Sequence, residues 1–347
     1  MLRIGIVGAG ENTRVRHIPG LRAREGVEIT GVVNRTAEST ARVAATYGIP
    51  KTFSTWQELV ADPEIDAVVI GTWPNLHAPV TVAALEAGKH VLTEARMARN
   101  LAEARTMLAA AQAHPDRVTM LVPSPFGLTV GPRVESLIAN GFLGDLREVV
   151  VLGVDDQFYD YSVPLHWRQD AEISGVNVLS LGILHETVSR WIPQPTRVFA
   201  QTQTFEPHRP NPHGSGNVAV TVPDSVQALT QYASGARGVY HFGGVSLFGP
   251  GKQIRLYGSL GTIQVQFGPG GAERLLVGRP GDQQLRHLDL PLKEQGRWRV
   301  EEEFVRAIRG EAAVQLNTFA IGVRDLEFTE AVSRSASSGT ATALPLS

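Results

Sequence analysis

Short apolar runs alternate with amphipathic stretches over the first third of the chain. Leu2–Val7, Glu28–Asn34, Asp66–Gly71, Lys89–Thr93 and Val118–Val122 read as strands. Four of them are largely apolar, as strands are when helices cover both faces of a parallel sheet. Between them Ala37–Tyr47, Thr55–Ala61, Pro79–Ala87 and Leu101–His114 read as helices. Gly48 and Gly88 stand where helices end, and Pro79 suits a first helical turn. Strict alternation of strand and helix predicts a doubly wound α/β domain of the Rossmann type over residues 1–121.

The texture changes after about residue 122. Pro123–Pro132 carries three prolines and reads as a domain connection. Val134–Asn140 and the apolar Val176–Trp191 read as helices. Longer β-like stretches then dominate: Leu146–Val154, Arg197–Thr204, Ser225–Tyr232, Gly238–Phe242, Gln253–Tyr257, Thr262–Phe267 and Arg274–Val277. Strands in succession predict an open, mainly antiparallel sheet with helices, and residues 122–347 are expected to form this second, α+β domain. Phe205–Asn217 reads as an exposed loop, and a helix at Val300–Ile308 precedes a mixed tail.

Composition narrows the function classes. Apolar residues make up 43% of the 347 and charged residues 19%, with a net charge of −2 and no run of one sign. A polyanion-binding surface would need a basic excess, so no nucleic-acid partner is expected. With zero cysteines, disulfides and thiolate chemistry are excluded. No segment approaches the roughly 18 apolar residues of a membrane helix, and we expect a cytoplasmic protein. His208 and His213 have no carboxylate at ligand spacing, so no metal site is expected.

Gly8-Ala9-Gly10-Glu11-Asn12-Thr13 follows the first strand and opens a helix. The first glycine permits a tight turn, and the second lets a diphosphate approach backbone N–H groups at the helix N-terminus. Thr13 replaces the third glycine of this fingerprint, and Pro19 predicts a kink or a late helix start. At the end of the second strand Asn34-Arg35 stands where an acidic residue would hold the ribose 2′-hydroxyl of NAD. An amide beside a guanidinium favours the 2′-phosphate of NADP; an arginine stacked over adenine would serve NADP or NAD.

Two further stretches carry a resemblance. Thr72-Trp73-Pro74-Asn75-Leu76-His77 and Ala83-Ala84-Leu85-Glu86-Ala87-Gly88-Lys89-His90-Val91-Leu92-Thr93-Glu94 resemble the "TPN-x-x-H … ALEAGKHVL-x-EKP" signature of the Gfo/Idh/MocA oxidoreductases, which include glucose–fructose oxidoreductase and inositol dehydrogenase. The likeness extends to Trp167-Arg168 and to Phe304–Gly310. It implies that Thr72, Pro74, Asn75 and His77 line the cofactor, with Glu94 at the nicotinamide edge. On pattern alone, Asn75 reads equally as a turn residue and His77 as a helix cap.

The chain departs from the family where the chemistry lies. The Glu-Lys-Pro triplet appears as Glu94-Ala95-Arg96, so the lysine that helps move the substrate proton is absent. Arg96 keeps a positive charge but does not release a proton. The second motif reads Ser174–Glu186, with Ser180 for the usual aspartate, Leu184 at the histidine position and His185 one residue later. Asn177 and His185 would share a face of one helix, and His185 is the candidate base, weighed against a satisfied core histidine. Asp155, Asp156, Tyr159, Tyr161, His166 and Arg168 cluster in the connection that the family turns toward substrate; His166 and Arg168 are the candidate substrate contacts.

The leading expectation is an NAD(P)-dependent dehydrogenase or reductase that moves a hydride between nicotinamide and a sugar, polyol or related hydroxyl compound. The alternatives are a regulatory protein that keeps the fold and binds nucleotide or sugar, and redox-assisted elimination or glycoside hydrolysis. The family's packing of open sheet faces leads us to expect a homodimer or homotetramer covering Val239, Ile254, Leu256, Ile263 and Val265.

Overall fold

The computed structural model describes residues 1–346. The chain forms two compact units, Met1–Pro123 with Arg299–Leu326, and Ser124–Trp298 with the residues from Glu327 onward. The change at residue 121 lies near the first division. Residues 299–326, expected in the second domain, belong to the first unit.

The first unit is a six-stranded parallel sheet. Its strands are β1 (Leu2–Val7), β2 (Val27–Val33), β3 (Lys51–Thr52), β4 (Ala67–Ile70), β5 (His90–Thr93) and β6 (Thr119–Leu121), in the order β3-β2-β1-β4-β5-β6. The central side chains Ile4, Ile6, Val68, Val69 and Ile70 are wholly buried, each worth roughly 1.5–3 kcal/mol of transfer free energy. The short β3 has no signature in the sequence, because two residues carry no period. Helices α1 (Ile18–Arg22), α2 (Ala37–Tyr47), α3 (Trp56–Ala61), α4 (Pro74–Glu86) and α5 (Leu101–Ala113) connect the strands. Thr36, Thr55 and Asn100 cap α2, α3 and α5 by accepting from the N–H groups of Ser39, Glu58 and Glu103.

Two prolines act differently from expectation. Pro74, not Pro79, occupies the first turn of α4, and Pro79 lies inside that helix; the start therefore falls at Trp73-Pro74, directly after β4. The kink expected from Pro19 is a π-helical turn, Thr13–His17, which runs into α1 with Pro19 near its start.

In the second unit a nine-stranded sheet holds β7 (Leu146–Val154), β8 (Arg197–Gln203), β11 (Ser225–Gln231), β12 (Arg237–Gly243), β13 (Gly251–Gly258), β14 (Thr262–Phe267), β15 (Glu273–Gly278), β16 (Arg286–His287) and β17 (Thr342–Ala343). The small hairpin β9 (His208–Pro210) and β10 (Asn217–Ala219) stands apart. The large sheet is antiparallel except where β7 pairs with β12 in parallel, as the succession of strands predicts. Helices α6 (Gly131–Ala139), α7 (Ala171–Ser174) and α8 (Leu181–Ser189) accompany it.

Three expectations need correction here. The single helix expected over Val176–Trp191 is absent: positive φ at Gly175 and Leu179 breaks the chain, and α8 begins only at Leu181. The loop expected at Phe205–Asn217 includes the β9–β10 hairpin, whose Arg209 is buried with its guanidinium on the carbonyls of Asp160 and Phe158. The mixed tail contains a helix, Phe319–Ser338, hidden from pattern reading by its serine, threonine and glycine content.

Strand parity corrects the expected open face. Ile254, Leu256, Ile263 and Val265 are at most 1% exposed, while Val239 is 43% exposed. Ile254 pairs with Val151, which pairs with Tyr240, so Val239 points to the opposite face. The exposed apolar row is instead Phe199, Leu229 and Val239, directly opposite one another on β8, β11 and β12.

Candidate functional site

The strand order reverses at β1, with β2 on one side and β4 on the other. A crevice forms at such a point beyond the carboxyl ends of the strands. Here it is a cleft of about 690 Å³, lined by the Gly8-Ala9-Gly10 turn, the segment after β2 and the segment after β4.

The turn is shaped by close approach. Gly8 has φ 84°, and a Cβ there would meet Thr72 Cγ2 at 2.7 Å. Thr13, at the third glycine position, is accommodated by Gly71: its hydroxyl donates to Gly8 O at 3.3 Å, and it fills space that a side chain on Gly71 would need. Ala9 N–H donates to Asn34 Oδ1 at 2.7 Å, while Asn34 Nδ2 donates to Ser39 Oγ at 3.0 Å. The Asn34 carboxamide thus ties one turn to the other, a use that the sequence did not disclose.

Arg35 lies 5.1 Å from the Trp73 ring centroid, forming one wall. Arg42, from the middle of α2, also lines the cleft, and no carboxylate does. Asn75 contributes a buried Oδ1 without a hydrogen-bond partner. A cleft with two guanidiniums, no carboxylate, an orphaned acceptor and a glycine-lined helix N-terminus fits an anionic nucleotide.

The remaining expected residues sit around this cleft. Pro74 is buried at the start of α4, and Glu11 is exposed on the opening helix. His77 is wholly buried, with Nδ1 2.9 Å from Arg96 O and Nε2 3.1 Å from Thr72 O. Burial pushes its pKa down, so the neutral ring donates to one carbonyl and bridges the segments after β4 and β5. Arg96 lies in the latter segment, two residues after Glu94.

Asn12 and Glu94 meet: Asn12 Nδ2 donates to Glu94 Oε1. The same carboxylate oxygen is 2.9 Å from His17 Nε2, and His17 Nδ1 is 2.6 Å from Glu301 Oε1. His17 and Glu301 went unnoticed in the sequence, and 284 positions of separation hide their pairing. Burial alone would depress the His17 pKa, but hydrogen bonds to Glu301 and Glu94 outweigh it and raise it to about 9. Burial likewise works against the Glu94 charge, yet the His17 hydrogen bond and charge and the Asn12 amide hold its carboxyl below the usual range.

Candidates in the second unit are placed differently. His185 is 1% exposed and stacks on Phe328 with ring centroids 3.6 Å apart. Its Nε2 is 2.7 Å from Gln194 Oε1 and its Nδ1 3.3 Å from Tyr240 Oη. This is the environment of a satisfied core histidine. Asn177, also buried, donates to Ser174 O at 2.6 Å and lies outside α8; the two do not share a helix face. His166 Nδ1 accepts from Arg168 N–H at 3.2 Å, and the Arg168 guanidinium lies 4.2 Å from the Trp167 ring centroid. Burial, then the Arg168 charge, lowers the His166 pKa. Asp155 pairs with Lys252 at 2.7 Å. Among the described residues, no helix is long and apolar enough to cross a membrane and no group of acidic and histidine residues is arranged to hold a metal.

Comparison with known proteins decides the family. Residues 2–121 match the Gfo/Idh/MocA model described as "Oxidoreductase family, NAD-binding Rossmann fold", and residues 133–264 match the GFO/IDH/MocA C-terminal domain. The chain belongs to the Gfo/Idh/MocA family. A 1,5-anhydro-D-fructose reductase of Ensifer adhaerens is 41% identical over 112 residues, covering 32% of this chain and 33% of that protein. The levoglucosan dehydrogenase of Pseudarthrobacter phenanthrenivorans is 26% identical over 222 residues, 60% of this chain and 56% of that one. In sequence this Gfo/Idh/MocA chain therefore spans a third to just over half of these curated relatives. A solved levoglucosan dehydrogenase in complex with NADH and L-sorbose superposes with TM-score 0.86 at 23% identity over 99% of both chains, a likeness of fold.

Proposed function

We propose that this Gfo/Idh/MocA chain is an NADP-using oxidoreductase acting on a sugar, polyol or related hydroxyl compound. The observation that carries the cofactor reading is the cleft itself, with Arg35 and Arg42 at its walls and no carboxylate. A ribose 2′-hydroxyl would want an acceptor there, whereas a 2′-phosphate wants cations. The substrate class rests on the relatives, which are named for 1,5-anhydro-D-fructose and levoglucosan.

A nicotinamide bound in the cleft would supply the hydride chemistry; the chain supplies binding and orientation. The first-turn N–H groups after Gly10 would face the diphosphate. Asn75 Oδ1 would accept from the nucleotide, with Thr72 and Pro74 shaping the wall beside it and His77 bracing that wall. Glu94 is held ionised at the end of β5. Arg96, in the triplet without its lysine, would hold a substrate oxygen by charge and not by proton exchange. His166 and Arg168 would contact substrate hydroxyls, Arg168 being braced on Trp167.

A second reading, a nucleotide-binding regulatory protein, is favoured by Ala95 and by the occupied nitrogens of His185. Mixing the protein with NADP or NAD and a panel of sugars and polyols, while following absorbance of the reduced nicotinamide, separates the two. Turnover supports the enzyme; tight binding without turnover supports the regulator.

We also propose a homo-oligomer built on the outer face of the second sheet. Phe199, Leu229 and Val239 form an aligned row there, flanked by Arg197, Arg237 and Glu148. A second copy would bury this apolar row and leave charges at its rim. The absence of cysteine suits a reducing cytoplasm.

A further inference from the structure

His17 joins three stretches of chain that are remote in sequence. It ends the π-helical turn that follows the glycine turn, and its ring is wholly buried. On one side stands Glu94, which directly follows β5; on the other stands Glu301, from the helix Val300–Ile308. Gly20 leaves room for this pairing, since a Cβ there would lie 2.7 Å from the Glu301 carboxyl carbon.

Ionised carboxylates only accept hydrogen bonds, so a ring between two of them must donate from both nitrogens and is an imidazolium. His77 offers the contrast. It too lies between two acceptors, but these are neutral carbonyls, and there burial wins. At His17 the hydrogen bonds to two carboxyl groups, with their charge behind them, win. Glu94 from the β5 end and Glu301 from the returning helix both hydrogen-bond to His17; Asn12, from its own helix, is neutral and shares Glu94 Oε1 with it.

Asn12 is two residues beyond Gly10, and Glu94 is two residues before Arg96. One proton therefore ties the helix that closes the glycine turn to the segment that carries Arg96. Were it lost, a neutral ring would donate to only one carboxylate. The bridge would then keep one of its two charge-assisted hydrogen bonds, and the helix and the end of β5 would be held together less tightly.

We propose that His17 is a positioning residue of the nucleotide site: as an imidazolium between Glu94 and Glu301 it holds the opening helix against the end of β5, and loss of its proton weakens nucleotide binding. The inference rests on the reading of the cleft as a nicotinamide-nucleotide site.

The test is a fluorescence titration of the full chain with NADPH from about pH 7 to about pH 10, with circular dichroism to confirm the fold at each pH. The Kd stays level in the lower part of this range and then rises about fivefold by about pH 10, the response to a roughly tenfold coupling between proton and nucleotide. His17→Gln binds weakly at neutral pH and shows no inflection; Glu301→Gln weakens binding in the same direction. A wild-type Kd that ignores pH overturns the inference, as does a folded His17→Gln protein with the wild-type Kd and profile. If His17→Gln fails to fold, the wild-type profile still decides. Absence of NADPH binding even at neutral pH overturns the nucleotide reading, and this inference with it. Binding that ignores pH overturns this inference alone.

Discussion

Thr13 and Gly71 are complementary: a Cβ built on Gly71 would lie 2.1 Å from Thr13 Oγ1. The fingerprint glycine that Thr13 replaces has thus been compensated across the turn, where β4 ends, and the tight glycine turn survives. Gly71→Ala is expected to cost about 1–3 kcal/mol, the usual range for overpacking. Thr13→Ala in the same chain should recover part of that loss, though Gly8 O still crowds position 71 at 2.3 Å. Chemical denaturation of the two single variants and the double variant measures the coupling.

Cofactor choice should respond to the two guanidiniums of the cleft. Arg35→Ala and Arg42→Ala are each expected to weaken NADPH binding about tenfold to a hundredfold, the scale of a hydrogen bond to a charged group. NADH, without the 2′-phosphate, should lose little at Arg42. Equal losses for both nucleotides would make the arginines adenine contacts and not phosphate contacts.

Stability should fall in alkali because of His17. Its folded pKa, about 9, lies above the unfolded 6.5. Its contribution is therefore complete below about pH 6.5, declines above it, and is gone once pH has risen through the folded value. The loss is on the order of 3 kcal/mol at the high-pH end. Melting curves of the nucleotide-free protein across this window should show a steeper decline for wild type than for His17→Gln. Parallel declines would mean that other groups govern the alkaline limb.

His185 should matter to the fold before it matters to the nucleotide. His185→Ala removes a ring stacked on Phe328 and its hydrogen bonds to Gln194 Oε1 and Tyr240 Oη. A loss of about 2–4 kcal/mol is expected from the cavity and the lost hydrogen bonds, with NADPH affinity unchanged. Unaltered stability together with abolished turnover would restore it as the base.

Assembly should depend on the outer row of the second sheet. Leu229→Lys or Val239→Lys places a charge in that row at little cost to the isolated chain, since both side chains are exposed. Light scattering should show wild type as an oligomer and these variants as smaller species. A monomeric wild type at micromolar concentration would end the proposal.

Much of the fold was legible because it is written in local periods. The apolar runs of β1, β4 and β5 announced a parallel sheet, and the glycine turn at residue 8 fixed its crevice. Parity along β12 and β13 was not legible without register: Val239 and Ile254 are both apolar, yet face opposite sides. The site divides in the same way. Gly8, Gly10, Arg35 and Asn75 lie close in space because short loops bring them there, and the motifs name them. His17 and Glu301 come together only through the return of the chain after residue 299, and Glu301 sits in a run of three glutamates that reads as a solvated face. The intended role of Asn34 was likewise invisible, because its partner is a backbone N–H.

The central claim is that the cleft at Gly8 and Gly10 takes a nicotinamide nucleotide and favours the phosphorylated one. Isothermal titration with NADPH and NADH tests it directly. The account predicts saturable heat with NADPH, binding about tenfold or more tighter than NADH. No heat with either nucleotide would contradict it.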